Sequence, residues 1–171
     1  MMTEERRQAV LHRLQEEKRA LTGSDLARTF HVSRQIIVGD ISILRAEGHP
    51  ILATPRGYLL PREDEQEGLR AALVCRHGAD GMEAELNAIV DNGGNVLDVV
   101  VEHPVYGTLR GDLFLRSRRD VRAFVEKMRT VQAAPLSAVT GGVHVHTIQV
   151  PDLGALEAIR RDLRALGILV E

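Results

Sequence analysis

Apolar positions recur at helical spacing in three stretches of the first sixty residues. Val10, Leu11 and Leu14 mark one face of a first helix, with Glu and Arg on the other faces. Thr3 stands where a cap for it is needed. Leu26, Ala27 and Phe30 mark a second helix, which starts at Thr22, Ser24 or Asp25 and stops at His31-Val32. Ser33 is a strong N-cap for a third. There Ile37, Ile41 and Leu44 share one face, Arg34, Gln35, Val38 and Ser42 lie away from it, and Gly48 is the stop signal. Ile51-Leu52 and Tyr58-Leu59-Leu60 then flank Thr54-Pro55-Arg56-Gly57, the pattern of a hairpin with a tight turn.

After residue 68 the pattern alternates between strand and helix. Strands are expected over 69–77, 95–107, 108–117 and 141–150, with Pro104 ending the second. Helices are expected over 81–94, stopped by Gly93-Gly94; over 118–132, capped by Ser117, with Val121, Phe124, Val125 and Met128 buried; and over 151–167. The final ILVE is a short edge strand. The order β-α-β-β-α-β-α matches a split βαβ, ferredoxin-like domain with an extra helix. In that arrangement the first and last main strands flank the strand that ends near Pro104. The fold class is therefore α+β: a winged helix-turn-helix over 1–60, a linker over 61–68 and a second domain over 69–171. The linker, PREDEQEG, holds one Arg against four acids and no large apolar side chain.

Composition narrows the partners. The 171 residues carry a net charge of −2. Residues 1–62 hold ten Lys/Arg against seven Asp/Glu, and residues 63–171 hold twelve against seventeen, so a basic front module precedes an acidic one. Aromatic residues make up 3% and Trp is absent, which disfavours single-strand grooves built on base stacking. The charged N-terminus has no secretory apolar region, and no apolar run approaches the roughly 18 residues of a membrane span. The expectation is a cytoplasmic protein with no membrane partner. The single cysteine, Cys75, fits a reducing compartment. Walker, GxGxxG, GxSxG and CxxC motifs are absent.

The first module carries helix-turn-helix grammar, in which the start of the third helix faces the major groove. Arg34 and Gln35 follow Ser33 there, with Arg suited to guanine and Gln to adenine. Arg56 at the hairpin tip is placed to reach a phosphate or the minor groove.

In the second module, His144 and His146 are two apart on a strand and project from one face, with Val143 and Val145 expected to enter the apolar layer. His77 ends another strand, and Glu85 lies one to two turns into the following helix. Three imidazoles and a carboxylate suit zinc, nickel or iron. The alternative from spacing alone is an exposed His-x-His. Cys75, two residues before His77 on the same strand face, is an extra ligand, a nucleophile or, more commonly, a buried strand cysteine.

VSRQIIVGDISILRAEGHPILATPRGYLL, EHPVYG and GGVHVHT together resemble the niacin-responsive transcriptional repressors, which pair a helix-turn-helix with a three-histidine (3H) domain. The resemblance spans nearly the whole chain. It implies metal ligands at His77, Glu85, His144 and His146. It also implies one divalent transition-metal ion per chain, nicotinic acid as corepressor, and control of niacin uptake or NAD salvage genes. His103, in His-Pro-Val-Tyr-Gly, matches the remaining signature histidine and falls to the ligand pocket with Tyr106. Arg110 is suited to hold the nicotinate carboxylate. Three neutral imidazoles and one carboxylate leave a dication at +1, which favours an anionic ligand. The expected unit is a homodimer on a double-stranded operator, with no enzymatic activity. Two alternatives are a repressor whose signal is the ion itself, and a small metal-dependent enzyme with a DNA-binding module.

Overall fold

A computed structural model describes residues 2–171, and the chain divides into two compact units between Gln66 and Glu67. In the first, α1 (Thr3–Glu16), α2 (Gly23–Thr29) and α3 (Arg34–Ala46) precede a hairpin of β1 (Leu52–Thr54) and β2 (Gly57–Leu59). Thr3 is the first helical residue rather than the cap, a position taken by Met2. Thr22 caps α2 by accepting from the Asp25 amide at 3.0 Å, and Ser33 caps α3 by accepting from Ile36 at 3.2 Å. Val10, Leu11, Leu14, Leu26, Ile37, Ile41, Leu44 and Ile51 close one apolar core. Asp40 interrupts the buried face of α3 and is matched by a bidentate Arg6 at 2.7 and 3.0 Å. The hairpin gains a third partner when Leu21 bridges Tyr58, with amide–carbonyl bonds of 2.9 and 2.8 Å. Gly57 (φ 125°) permits this, because a Cβ there would collide with the Leu21 carbonyl.

The second unit is a four-stranded antiparallel sheet with helices against one face. Its elements are β3 (Leu69–Arg76), α4 (Met82–Asp91), β4 (Asn95–His103), β5 (Gly107–Leu115), α5 (Arg118–Thr130), β6 (Val143–Val150) and α6 (Leu153–Ala165). Ser117 caps α5 and Asp152 caps α6 through amides of Asp120 and Ala155. Strand order is β3-β6-β4-β5. The expectation that the first and last strands flank β4 is therefore not met, and the sheet does not have the ferredoxin-like strand order: β4 lies between β6 and β5. β6 lies between β3 and β4 and pairs with β3 along its full length, from Leu69↔Val150 to Arg76↔Val143. The terminal segment adds to the outer edge of β3, where Val170 N–H donates to the Val74 carbonyl at 2.9 Å.

The face expected for Val143 and Val145 is also reversed. His144, His146, Ile148 and Val150 are buried under the helices, whereas Val143 is 38% exposed. The apolar pull of Ile148 and Val150, at the same parity, fixes which side of β6 is inside. On α5 only Val121 is fully buried; Phe124 and Val125 pack partly against the core.

Candidate metal centre and nucleic-acid interface

Strand pairing creates the histidine cluster. The β3–β6 register sets His77, one residue past Arg76↔Val143, beside Gly142, whose carbonyl accepts from the His77 amide at 3.4 Å. Gly142 (φ 95°) cannot carry a side chain, since its Cβ would run into the His77 carbonyl. Gly81 makes room for the imidazole itself, a Cβ there lying 2.7 Å from His77 Cβ. The helix that follows presents Glu85 with 1% of its surface exposed.

Three imidazoles converge on that carboxylate. His77 Nε2 is 2.6 Å from Oε2, His144 Nε2 is 2.8 Å from Oε1, and His146 Nε2 is 3.4 Å from Oε2. The three Nδ1 atoms each meet a backbone carbonyl: Gly78 at 2.5 Å, Gly142 at 2.8 Å and Asp98 at 2.7 Å. A carbonyl can only accept, so each Nδ1 carries a proton and donates it. Each Nε2 then presents a lone pair to the carboxylate unless it too is protonated. Lone pairs facing carboxylate oxygens repel, so the arrangement calls for positive charge at its centre, either protons or a cation. Backbone carbonyls that fix ring orientation are the usual outer support of metal-bound histidine. The donor set thus fits a dication with nitrogen and oxygen preference.

Electrostatics agree. Burial raises the Glu85 pKa, but hydrogen bonds from His144, His146 and His77 more than offset it and hold the carboxyl well below its usual range. The hydrogen bond to Glu85 lifts His77 above its ordinary value. Burial opposes protonation of His146, yet Glu85 and the Asp98 carbonyl leave it raised. Cys75 joins the same cluster: Cys75, Glu85 and His144 form a buried group able to hold a metal, their ligand atoms within 4.8 Å of one another. Burial, then the charge and hydrogen bond of Glu85, push the Cys75 thiol up.

The other expected pocket residues do not converge here. Arg110 lies in register with Val100, which pairs with Val145, so it sits on the sheet face opposite His144 and His146. Its guanidinium is held by Asp98 at 2.9 Å and Asp112 at 3.0 Å. It therefore cannot serve a ligand bound at the cluster, because the sheet stands between them. His103 ends β4 and turns its Nδ1 to the amides of Val105 and Tyr106 at 3.0 and 3.1 Å, which organises the hairpin turn. Tyr106 is exposed beside it, ring centroids 4.9 Å apart. Sequence reasoning missed Asp98. A β-bulge between Val96 and Val100 lets its carbonyl orient His146 while its carboxylate accepts from the Thr147 amide at 3.0 Å. An open cavity of about 470 Å³ adjoins the cluster, bordered by Arg76, His77, Ser137 and Gly142.

In the first unit, Arg34 and Gln35 are exposed at the start of α3. Arg34 extends over Gly23, where a Cβ would lie 3.4 Å from its Nε. Arg56 occupies the hairpin turn, its amide donating to Thr54 Oγ1 at 3.3 Å. Ile36 and Ile43 add two exposed apolar side chains to α3.

A capped helix pair with a hairpin wing, joined to a sheet domain with a buried imidazole–carboxylate cluster, is the build of a DNA-binding regulator with a second domain able to hold a metal. Comparison with known proteins agrees. Residues 6–59 match the HTH domain family and residues 70–171 match the 3H domain family. The chain is 40% identical over 168 residues to the probable transcription repressor NiaR of Thermotoga maritima, covering 98% of this chain and 95% of that one. It is 41% identical over 173 residues to the transcription repressor NadR of Bacillus subtilis, covering 100% and 96%. The chain belongs to this family of HTH–3H transcription repressors of the NiaR/NadR type. These homologues are repressors and not enzymes, which sets aside the enzymatic alternative. No helix among the described residues is long and apolar enough to cross a membrane.

Proposed function

We propose that the protein is a homodimeric repressor of niacin uptake or NAD salvage genes, with nicotinic acid as corepressor. The effector acts at or near one divalent transition-metal ion, nickel, zinc or iron, held by His77, Glu85, His144 and His146. The observation that carries this reading is the convergence of three Nδ1-anchored imidazoles on one buried carboxylate. The bound ion would draw donor atoms together and polarise what it touches. Around it, the chain's own carbonyls hold the rings and the helices exclude water. The cavity beside His77 gives a small aromatic acid a place to dock. In the other unit, Ser33 fixes the start of α3, Arg34 and Gln35 read base edges, and Arg56 contacts the backbone. A repressor acts where its operator lies, in the cytoplasm.

Metal analysis of untagged protein, followed by calorimetry with nicotinate and a DNA-binding assay, tests this reading. One dication per chain is expected, with nicotinate bound only by the metal-loaded form and tightening operator binding about 5–150-fold. A metal-free protein with the same nicotinate response would overturn it. The closed character of the cluster, with the His144 and Glu85 side chains 3% and 1% exposed, favours a second reading in which the ion is itself the signal. Metal alone would then change DNA affinity, and nicotinate would add nothing.

A further inference from the structure

We infer that Cys75 is itself a metal ligand, its thiolate joining Glu85 and His144 on one side of the ion. The inference rests on the metal-binding reading above and adds a donor that changes the charge and the selectivity of the centre. Cys75 stands directly opposite His144 in the β3–β6 ladder, and cross-strand neighbours on one face have Cβ atoms about 4.5–5.5 Å apart. Its thiol sulfur, a Glu85 oxygen and a His144 nitrogen all lie within 4.8 Å of one another. An ion holding a thiolate at about 2.3 Å and an imidazole at about 2.0–2.1 Å allows them at most about 4.4 Å of separation. Side-chain rotation by a few tenths of an ångström is enough to close any difference.

The surroundings single this cysteine out from an ordinary core thiol. One side of it is the apolar cluster that includes Leu73, Leu86 and Ile168. The other side is a carboxylate that already collects three imidazoles. A neutral thiol there competes with three ring nitrogens for two oxygens. When a dication enters, the thiol proton leaves to solvent, sulfur and carboxylate both bind the ion, and the competition ends.

Two consequences follow. A sulfur donor beside three imidazoles selects a borderline ion such as zinc, nickel or cobalt over magnesium, calcium or manganese. Thiolate and carboxylate together also cancel the charge of the dication, so the centre is neutral rather than +1.

Cobalt(II) is the probe. Full-length wild-type protein and Cys75→Ser are stripped with chelator, reloaded with cobalt, and followed by equilibrium dialysis and absorption spectroscopy, with circular dichroism to confirm that the variant is folded. The expected wild-type spectrum has visible d–d bands and an intense near-ultraviolet sulfur-to-cobalt charge-transfer band. Cys75→Ser should lose the charge-transfer band, keep d–d bands, and bind cobalt at least about tenfold more weakly. Cys75→Ala, which cannot ligate through oxygen, should show the same loss. Wild-type d–d bands without charge transfer would remove Cys75 from the centre while leaving the histidine–carboxylate site standing. Dialysis showing no cobalt bound to wild-type protein would overturn both the centre and this inference.

Discussion

His146 bears the sharpest consequences of any single residue. Its Nε2 faces Glu85 and its Nδ1 is spent on the Asp98 carbonyl, so one side chain joins the cluster to the bulge in β4. His146→Ala should lower metal affinity by tenfold or more and remove the nicotinate effect on DNA binding. The orphaned buried carbonyl adds a stability loss of about 1–3 kcal/mol. Calorimetry and thermal melting check these together, and full metal content with an unchanged melt would exclude His146 from the centre. Gly142→Ala separates positioning from ligation. The substitution removes no donor, but the new Cβ meets the His77 carbonyl at a backbone angle of 95°. We expect about 1–3 kcal/mol of strain and a weaker metal site. Metal affinity equal to wild type would mean that His77 does not depend on this close approach.

At the scale of elements, the sequence announces whatever depends on local chemistry. Ser33 and Ser117 cap the helices expected of them, because a side-chain oxygen beside a free amide needs nothing distant. Thr54-Pro55-Arg56-Gly57 turns as its residues require. Pairing order is not local. VHVHTIQV alternates cleanly on both faces, and the valines at its start suggest the wrong one; Ile148 and Val150 at its end decide the matter through helices far away in sequence. The same strand's place between β3 and β4 brings His77 to His144, a contact that spacing alone does not contain. Arg110 shows the converse. Its type fits a carboxylate, but its partners are Asp98 and Asp112 on the other sheet face. For α3, the cap and exposed start lead to a direct expectation. Arg34→Ala should cost about 1–3 kcal/mol of operator binding and relax the preference at one base pair if the contact is bidentate to guanine. Competition binding with single-base operator variants measures both, and unchanged affinity with unchanged preference would move base reading elsewhere on the helix.

For the whole molecule, the cluster ties stability to acidity. The raised pKa values of His77 and His146 contribute stability that is fully present below about pH 6.5 and is lost as pH climbs through the raised values. The lowered pKa of Glu85 acts in the opposite sense, contributing above about pH 4.3 and losing its effect as pH falls through the lowered value. Metal-free protein should therefore melt at a lower temperature near pH 8.5 than near pH 6. Metal-loaded protein should show the reverse, because metal displaces the ring protons and binds more tightly as they leave. Melts in chelator that are flat across this range would deny the cluster its proton-holding role. The second consequence is one of symmetry. A single helix-turn-helix unit covers little DNA and its net charge of +3 over residues 1–62 is modest, so on the homodimer reading proposed above selectivity comes from pairing two units. Two recognition helices related by a two-fold axis enter major grooves on one side of the duplex only if the half-sites are separated by whole helical turns, about 10–10.5 base pairs each. Inserting about five base pairs between the half-sites should therefore lower affinity strongly, and inserting about ten should restore much of it if the joint between the units can extend to follow. Equal binding to all three spacings, together with sedimentation as a monomer at micromolar concentration, would show that each chain reads its site alone.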